Sequence, residues 1–147
     1  MSMAEDTKSI VVERLMPHPP EKIWRALTQS ALMAEWLMRN DFQPVVGRRF
    51  NFHATPIPGA WNGVSDCEVL EVTPFSRLVW RQQASGEQQA EGLDSIVTWT
   101  LTPAEGGTLV RMEQSGFRPK DEMGYQMMSG GWPRIVAGLE RVAGAAG

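Results

Sequence analysis

Cysteine, histidine and tyrosine are almost missing from these 147 residues, which hold one Cys, two His and one Tyr. A single thiol excludes an internal disulfide. With only His18 and His53 beside Cys67, a zinc site of ordinary ligand spacing cannot be assembled, so no metal is expected. Cys67 stands between Asp66 and Glu68, whose charges raise a thiol pKa, and it reads as a small buried hydrophobe rather than a nucleophile. His18 lies between prolines at a strand end and His53 on a strand, positions that suit capping or packing. Positive charge is scarce as well: 14 Lys and Arg against 17 Asp and Glu give a net charge of −3 and no electrostatic case for nucleic acid. No apolar run approaches the roughly 18 residues needed to span a bilayer. The first eight residues are too polar and acidic for a signal peptide, so the expected address is the cytoplasm. There is no G-x-S-x-G elbow, phosphate-binding glycine loop, dinucleotide fingerprint or H-E-x-x-H helix, and no cofactor is implied. Glu68, Glu71 and Glu113 could supply a carboxylate pair, but strand parity turns Glu113 outward and favours solvated charge.

What the chain has in quantity is tryptophan and methionine, six and nine residues respectively. A Trp side chain carries roughly 150–250 Å² of surface, so most of the six belong inside or around a pocket. Methionine serves either as core filler or as the wall of an adaptable binding surface. Near the C-terminus, Met128, Trp132, Ile135, Val136, Leu139 and Val142 recur at steps of three and four and form one apolar stripe. The spacing predicts a long helix over about 119–143, opened by Pro119, Asp121 and Glu122. An interior proline costs about 3 kcal/mol, which predicts a kink or break near Pro133. Met127, Met128 and Trp132 either belong to the core or also face a cavity.

Upstream, residues 1–7 are expected to be disordered, and Ser9–Met16 alternates as a first strand. Two short helices follow, one opened by Pro20 and Glu21, the other carrying Met33, Trp36 and Leu37 on one face. Arg48–His53 reads as a strand, and four more are expected at about Trp61–Val72, Arg77–Gln82, Leu93–Leu101 and Thr108–Ser115. Their separators are turns rich in Pro and Gly and one polar Gln/Glu loop at 84–92. The expectation is a single α+β domain over 1–147, in which a curved antiparallel sheet of about six strands wraps the C-terminal helix. Gln82, Gln114 and Arg14 are placed by parity on the inner face, where they could orient a ligand or satisfy one another.

The run Pro19-Pro20-Glu21-Lys22-Ile23-Trp24-Arg25-Ala26-Leu27-Thr28, then Trp36-Leu37, Asp41 to Gly47 and Phe50, resembles the opening of the heat-shock chaperone ATPase activator-like family. The likeness continues through Trp61-Asn62-Gly63, Glu68 to Val72, Gly107-Thr108, Glu113 to Phe117 and Gly131-Trp132, covering essentially the whole chain. It implies the helix-grip fold of the START and birch-pollen-allergen superfamily, with a cavity between sheet and C-terminal helix. On that implication the apolar lining is Trp36, Phe50, Phe52, Trp61, Trp80, Val97, Trp99, Met112, Met128, Trp132 and Ile135, with Gln82 and Gln114 as polar members. Where the family commonly has a His this chain has Gln114, and where it has an aromatic this chain has Gln82. No catalytic motif is carried over. The expected partner is an apolar small molecule or lipid, held by a monomer or homodimer. A cofactor-free cyclase or hydrolase in the same cavity, and a co-chaperone acting through its surface, are the alternatives.

Overall fold

The computed structural model describes residues 7–59, 61–86 and 90–145, so the expected disorder of the N-terminal tail lies, Thr7 apart, outside the described residues. The order is β1 (Lys8–Met16), α1 (Pro20–Thr28), α2 (Ser30–Trp36), β2 (Arg39–Asn40), β3 (Arg49–His53), β4 (Val64–Thr73), β5 (Arg77–Ala84), β6 (Asp94–Ala104), β7 (Gly107–Phe117) and α3 (Glu122–Ala145). The strands form one seven-stranded sheet ordered β1-β7-β6-β5-β4-β3-β2, with every neighbouring pair antiparallel. This is the α+β helix-grip arrangement with one strand more than expected. The addition is β2, which pairs Arg39 with His53 and Asn40 with Phe52. Two residues carry no period-2 signal, so such a strand is invisible to pattern reading.

Strand alternation produces the two faces. Ser95, Val97, Trp99 and Leu101 of β6 are buried on the side that also takes Thr108, Val110, Met112 and Gln114 of β7. In α1, Pro20 occupies the first turn, Ile23, Trp24, Ala26 and Leu27 are buried, and Trp36 of α2 locks the two helices by donating its indole N–H to the Ala26 carbonyl at 2.8 Å. Arg14 keeps the inner-face parity expected of it, opposite buried Val110, but on the edge strand it is exposed and paired with Glu140 of α3 at 2.7 Å. Its long stem lets the guanidinium reach up to a carboxylate of the helix that packs on this face while staying in water.

The start of α3 and the possibility of a break within it differ from expectation. It begins at Glu122 after a 3-10 turn, Pro119–Asp121, and it runs unbroken through Pro133 to Ala145. Pro133 lies on the exposed side of the helix, where water can serve the carbonyl that a proline ring leaves without its N–H. Trp132, Val136, Gly138, Leu139, Val142 and Ala143 are buried, whereas nothing between Glu122 and Gly131 is.

Candidate functional site

Beneath that unburied half of α3 lies a cavity of about 710 Å³. Gly124, Met127 and Met128 form its helical wall, Ser65 of β4 and Gln82, Gln83 and Ala84 of β5 its sheet wall. Loops close the sides with Met38, Ile57, Trp61, Glu91, Gly92 and Leu93. The β3–β4 loop is shaped by a reciprocal pair of backbone bonds between Ile57 and Trp61, at 2.7 and 2.9 Å, and the Trp61 indole donates to the Val64 carbonyl at 3.1 Å. Gly63 turns the chain there at φ +87°, and a Cβ would collide with the Ala54 carbonyl, so only glycine fits. Trp61 therefore precedes β4 rather than starting it, because the strand ladder begins at Val64.

The other side is tied by charge. The Arg118 guanidinium donates to both oxygens of Asp121, at 2.7 and 3.0 Å, and to the carbonyls of Glu91 and Gly92, at 3.3 and 2.8 Å. Lys120 adds an ion pair to Glu91 at 2.9 Å. Burial alone would push the Asp121 carboxyl up, but hydrogen bonds from the Arg118 side chain and backbone, with the adjacent positive charges, outweigh it and hold the carboxyl below its ordinary value. The Lys120 hydrogen bond and charge likewise keep Glu91 below its ordinary value.

Inside, indoles and amides form a directed network. Trp132 Nε1 donates to Gln114 Oε1 at 2.8 Å, Gln114 Nε2 to Ser95 Oγ at 2.9 Å, and Ser95 Oγ to the Gln82 carbonyl at 3.2 Å. Trp80 Nε1 donates to Gln82 Oε1 at 3.0 Å. Gln82 and Gln114 thus satisfy indole donors, and Gln114, 1% exposed, is closed at both ends of its amide. Trp99 Nε1 is the one buried side-chain polar atom without a partner among the described residues.

Of the residues nominated from sequence, Trp61, Gln82, Met127 and Met128 meet in the wall of this cavity. Phe50 adjoins a second cleft of about 550 Å³ with Arg49, Asn51, Asp66, Cys67, Glu68, Arg81 and Gln83, and its ring is buried against Phe42, Phe52 and Trp80. Trp36, Phe52, Trp80, Val97, Trp99, Met112, Gln114 and Trp132 are buried in the core, and Ile135 packs half-buried against it. Many of these aromatics touch one another: Trp36 with Trp99, Phe52 with Trp80, Trp80 with Trp99, Trp99 with Trp132. Sequence reading missed Met38, Ile57, Ser65 and Leu93. Ile57 between two prolines and Leu93 at the end of a polar loop are apolar residues in unusual company, the one signal that could have found them. Cys67 is buried and its thiol is pushed up by burial and by Asp66 and Asp41, in keeping with an inert hydrophobe. Glu71 and Glu113 pair with Arg77 and Arg111. Among the described residues no cluster of His, Cys, Asp and Glu could hold a metal, and no helix is long and apolar enough to cross a membrane.

Residues 17–144 match the family described as Activator of Hsp90 ATPase homolog 1-like protein. The crystal structure of MLL2253 from Mesorhizobium loti is similar at 48% identity, covering 95% of this chain and 99% of that one, with a TM-score of 0.85. CalU16 from Micromonospora echinospora shares the fold at 20% identity, over 93% of this chain and 76% of that one, with a TM-score of 0.69. DynU16, a protein of the dynemicin biosynthetic locus, does so at 24% identity and a TM-score of 0.73, over 90% of this chain but 46% of its own. No curated protein matches the chain in sequence.

Proposed function

The chain belongs to the Activator of Hsp90 ATPase homolog 1-like protein family, and from that premise we propose that it is a small binding protein holding an apolar or aromatic molecule, or a lipid tail, in the 710 Å³ cavity under the first half of α3. The observation that carries this reading is the wall itself. Met38, Ile57, Trp61, Leu93, Met127 and Met128 surround a few polar groups, the composition expected of a pocket that takes a small ligand by burial and orients it by one or two hydrogen bonds. Three methionines suit an occupant of variable shape, since the unbranched thioether repacks at little cost. Binding is favoured over catalysis because Glu91 is the single titratable side chain in the wall among the described residues, and Lys120 already holds it ionised.

Trp61 supplies the test. It is the half-exposed tryptophan, whereas Trp24, Trp36, Trp80, Trp99 and Trp132 are buried. Titration with 2-isopropylnaphthalene, followed by calorimetry and by the part of the emission that Trp61→Phe removes, should show one site per chain and a rise in Tm by linkage. Met128→Arg should weaken binding at least tenfold with the fold intact, because it drives a cation into the apolar wall. Binding unchanged by Met128→Arg, or absent in the unmodified protein, would move the function away from this cavity.

A further inference from the structure

We infer that Gln82 makes this cavity selective for a neutral molecule bearing a hydrogen-bond acceptor, such as the carbonyl of a ketone, ester, amide or quinone, over a hydrocarbon or an anion. The inference rests on the binding reading above and names the class of ligand.

An indole N–H can only donate. Trp80 is fully buried and its Nε1 reaches Gln82 Oε1 at 3.0 Å, so the amide of Gln82 has no free choice of orientation: its oxygen must face Trp80. Its Nε2 donates to no group among the described residues, and Gln82 itself stands half-buried in the cavity wall. The residue is also anchored behind. Its main chain pairs with Cys67 on one side and Ser95 on the other, and its carbonyl accepts the Ser95 hydroxyl. Gln114 offers no such end, because Trp132 and Ser95 take both halves of its amide. Gln82 therefore offers one oriented donor in a mostly apolar wall, whose other uncharged polar side chains are Ser65 and Gln83. A ligand acceptor placed there gains a preorganised hydrogen bond, whereas a ligand donor meets a second donor and both stay unpaired.

Charge narrows the class further. Among the described residues the wall contains no Lys, Arg or His, and its one charged side chain is the Glu91 carboxylate. A carboxylate or phosphate would lose water and find no cation among the wall residues, since the nearby Lys120 is already paired with the exposed Glu91 carboxylate and Arg118 with Asp121. The acceptor that fits is neutral.

Three naphthalenes of one shape separate these terms by calorimetry on the full chain: 2-acetylnaphthalene, 2-isopropylnaphthalene and 2-naphthoate. We expect the ketone and the hydrocarbon to bind the unmodified protein and naphthoate to bind at least tenfold more weakly than the ketone. Gln82→Leu should weaken the ketone about five- to tenfold, the value of one neutral hydrogen bond, and leave the hydrocarbon within about twofold. Gln82→Glu keeps the acceptor for Trp80, which protects the fold, but replaces the donor with an oxygen; the ketone should weaken at least as much. Trp80→Phe leaves Gln82 in place and frees its amide to turn over, so the ketone should lose about two- to threefold, an effect that a merely structural Gln82 would not show. Equal responses of ketone and hydrocarbon to both Gln82 variants, or naphthoate binding as tightly as the ketone, would overturn the inference while leaving the cavity as a binding site. Failure of the hydrocarbon to bind the unmodified protein would overturn the binding reading and this inference together.

Discussion

From Trp132 to Ala145, α3 buries Trp132, Val136, Gly138, Leu139, Val142 and Ala143 against α1, α2 and β1; from Glu122 to Gly131 no residue is fully buried, Tyr125 and Met128 pack only partly against the core, and Met123 and Met127 are 79% and 61% exposed. Both halves are helical and both contain large apolar side chains. They differ in what lies below them: a packed layer of aromatics under the second half, a 710 Å³ space under the first. Helices in folded proteins draw most of their stability from tertiary packing, so the second half can hold the first in place over an opening that contributes little to stability itself. The boundary is the run Gly130-Gly131-Trp132-Pro133, where two residues of low helix propensity precede a deep anchor and a missing backbone bond.

The largest expected effect tests this contrast directly. Trp132→Ala should destabilise by about 3–5 kcal/mol, since it removes a large buried ring and leaves the Gln114 oxygen without its donor. Met127→Ala, on the preceding turns of the helix, should cost less than about 0.5 kcal/mol because that side chain is largely exposed. Urea unfolding of both variants decides it; a loss under about 1 kcal/mol at Trp132 would mean that the two halves are not energetically distinct.

A smaller effect of opposite sign is expected at the boundary. Gly131 is helical, and a Cβ added to it would meet nothing within 4 Å, so Gly131→Ala should stabilise by about 0.5–1 kcal/mol through helix propensity. Thermal unfolding with and without 2-isopropylnaphthalene would show whether stiffening the junction alters the cavity. A destabilised variant would point to close packing at Gly131 that the open space around it excludes.

The smallest effect lies at the start of the helix and depends on pH. Because the Asp121 carboxyl is held below its ordinary value in the folded protein, its contribution is fully present above the unfolded value, near about 3.9, and is lost as pH falls through the lowered folded one. Wild type should therefore exceed Asp121→Asn in stability by a constant margin from neutral pH down to the ordinary carboxylate range, with the margin closing only below it. A margin that persists in strong acid would assign the stabilisation to something other than the Arg118–Asp121 charge pair.

Much of this was legible from pattern. Alternation on β6 and β7 places Val97, Trp99, Leu101, Val110, Met112 and Gln114 on the buried face, and the stripe from Trp132 to Val142 gives the docked half of α3. The whole-chain resemblance points to the same fold that the family match and the solved structures show. The cavity was harder. Composition cannot say whether Trp36, Trp80 and Trp99 surround an opening or one another, because both arrangements bury the same side chains. Parity placed Gln82 and Gln114 on the inner face together, but only coordinates show that one amide is closed by an indole 18 residues away while the other keeps a free end. Ile57 and Leu93 sit in loops, where no periodicity reports which way a side chain turns.

Trp99 lies at the centre of four indoles, with ring centroids 5.5 Å from Trp36, 6.4 Å from Trp80 and 5.9 Å from Trp132, at interplanar angles of 85°, 41° and 72°. Chromophores so close and so skewed share their excitations, and their coupled transitions absorb left- and right-circularly polarised light unequally, in paired bands of opposite sign. The four rings come from α2, β5, β6 and α3. The circular dichroism of this protein is therefore expected to carry a signature of tertiary register overlaid on the ordinary helical signal: a collapsed chain with every helix formed but its layers unlocked would keep the second and lose the first.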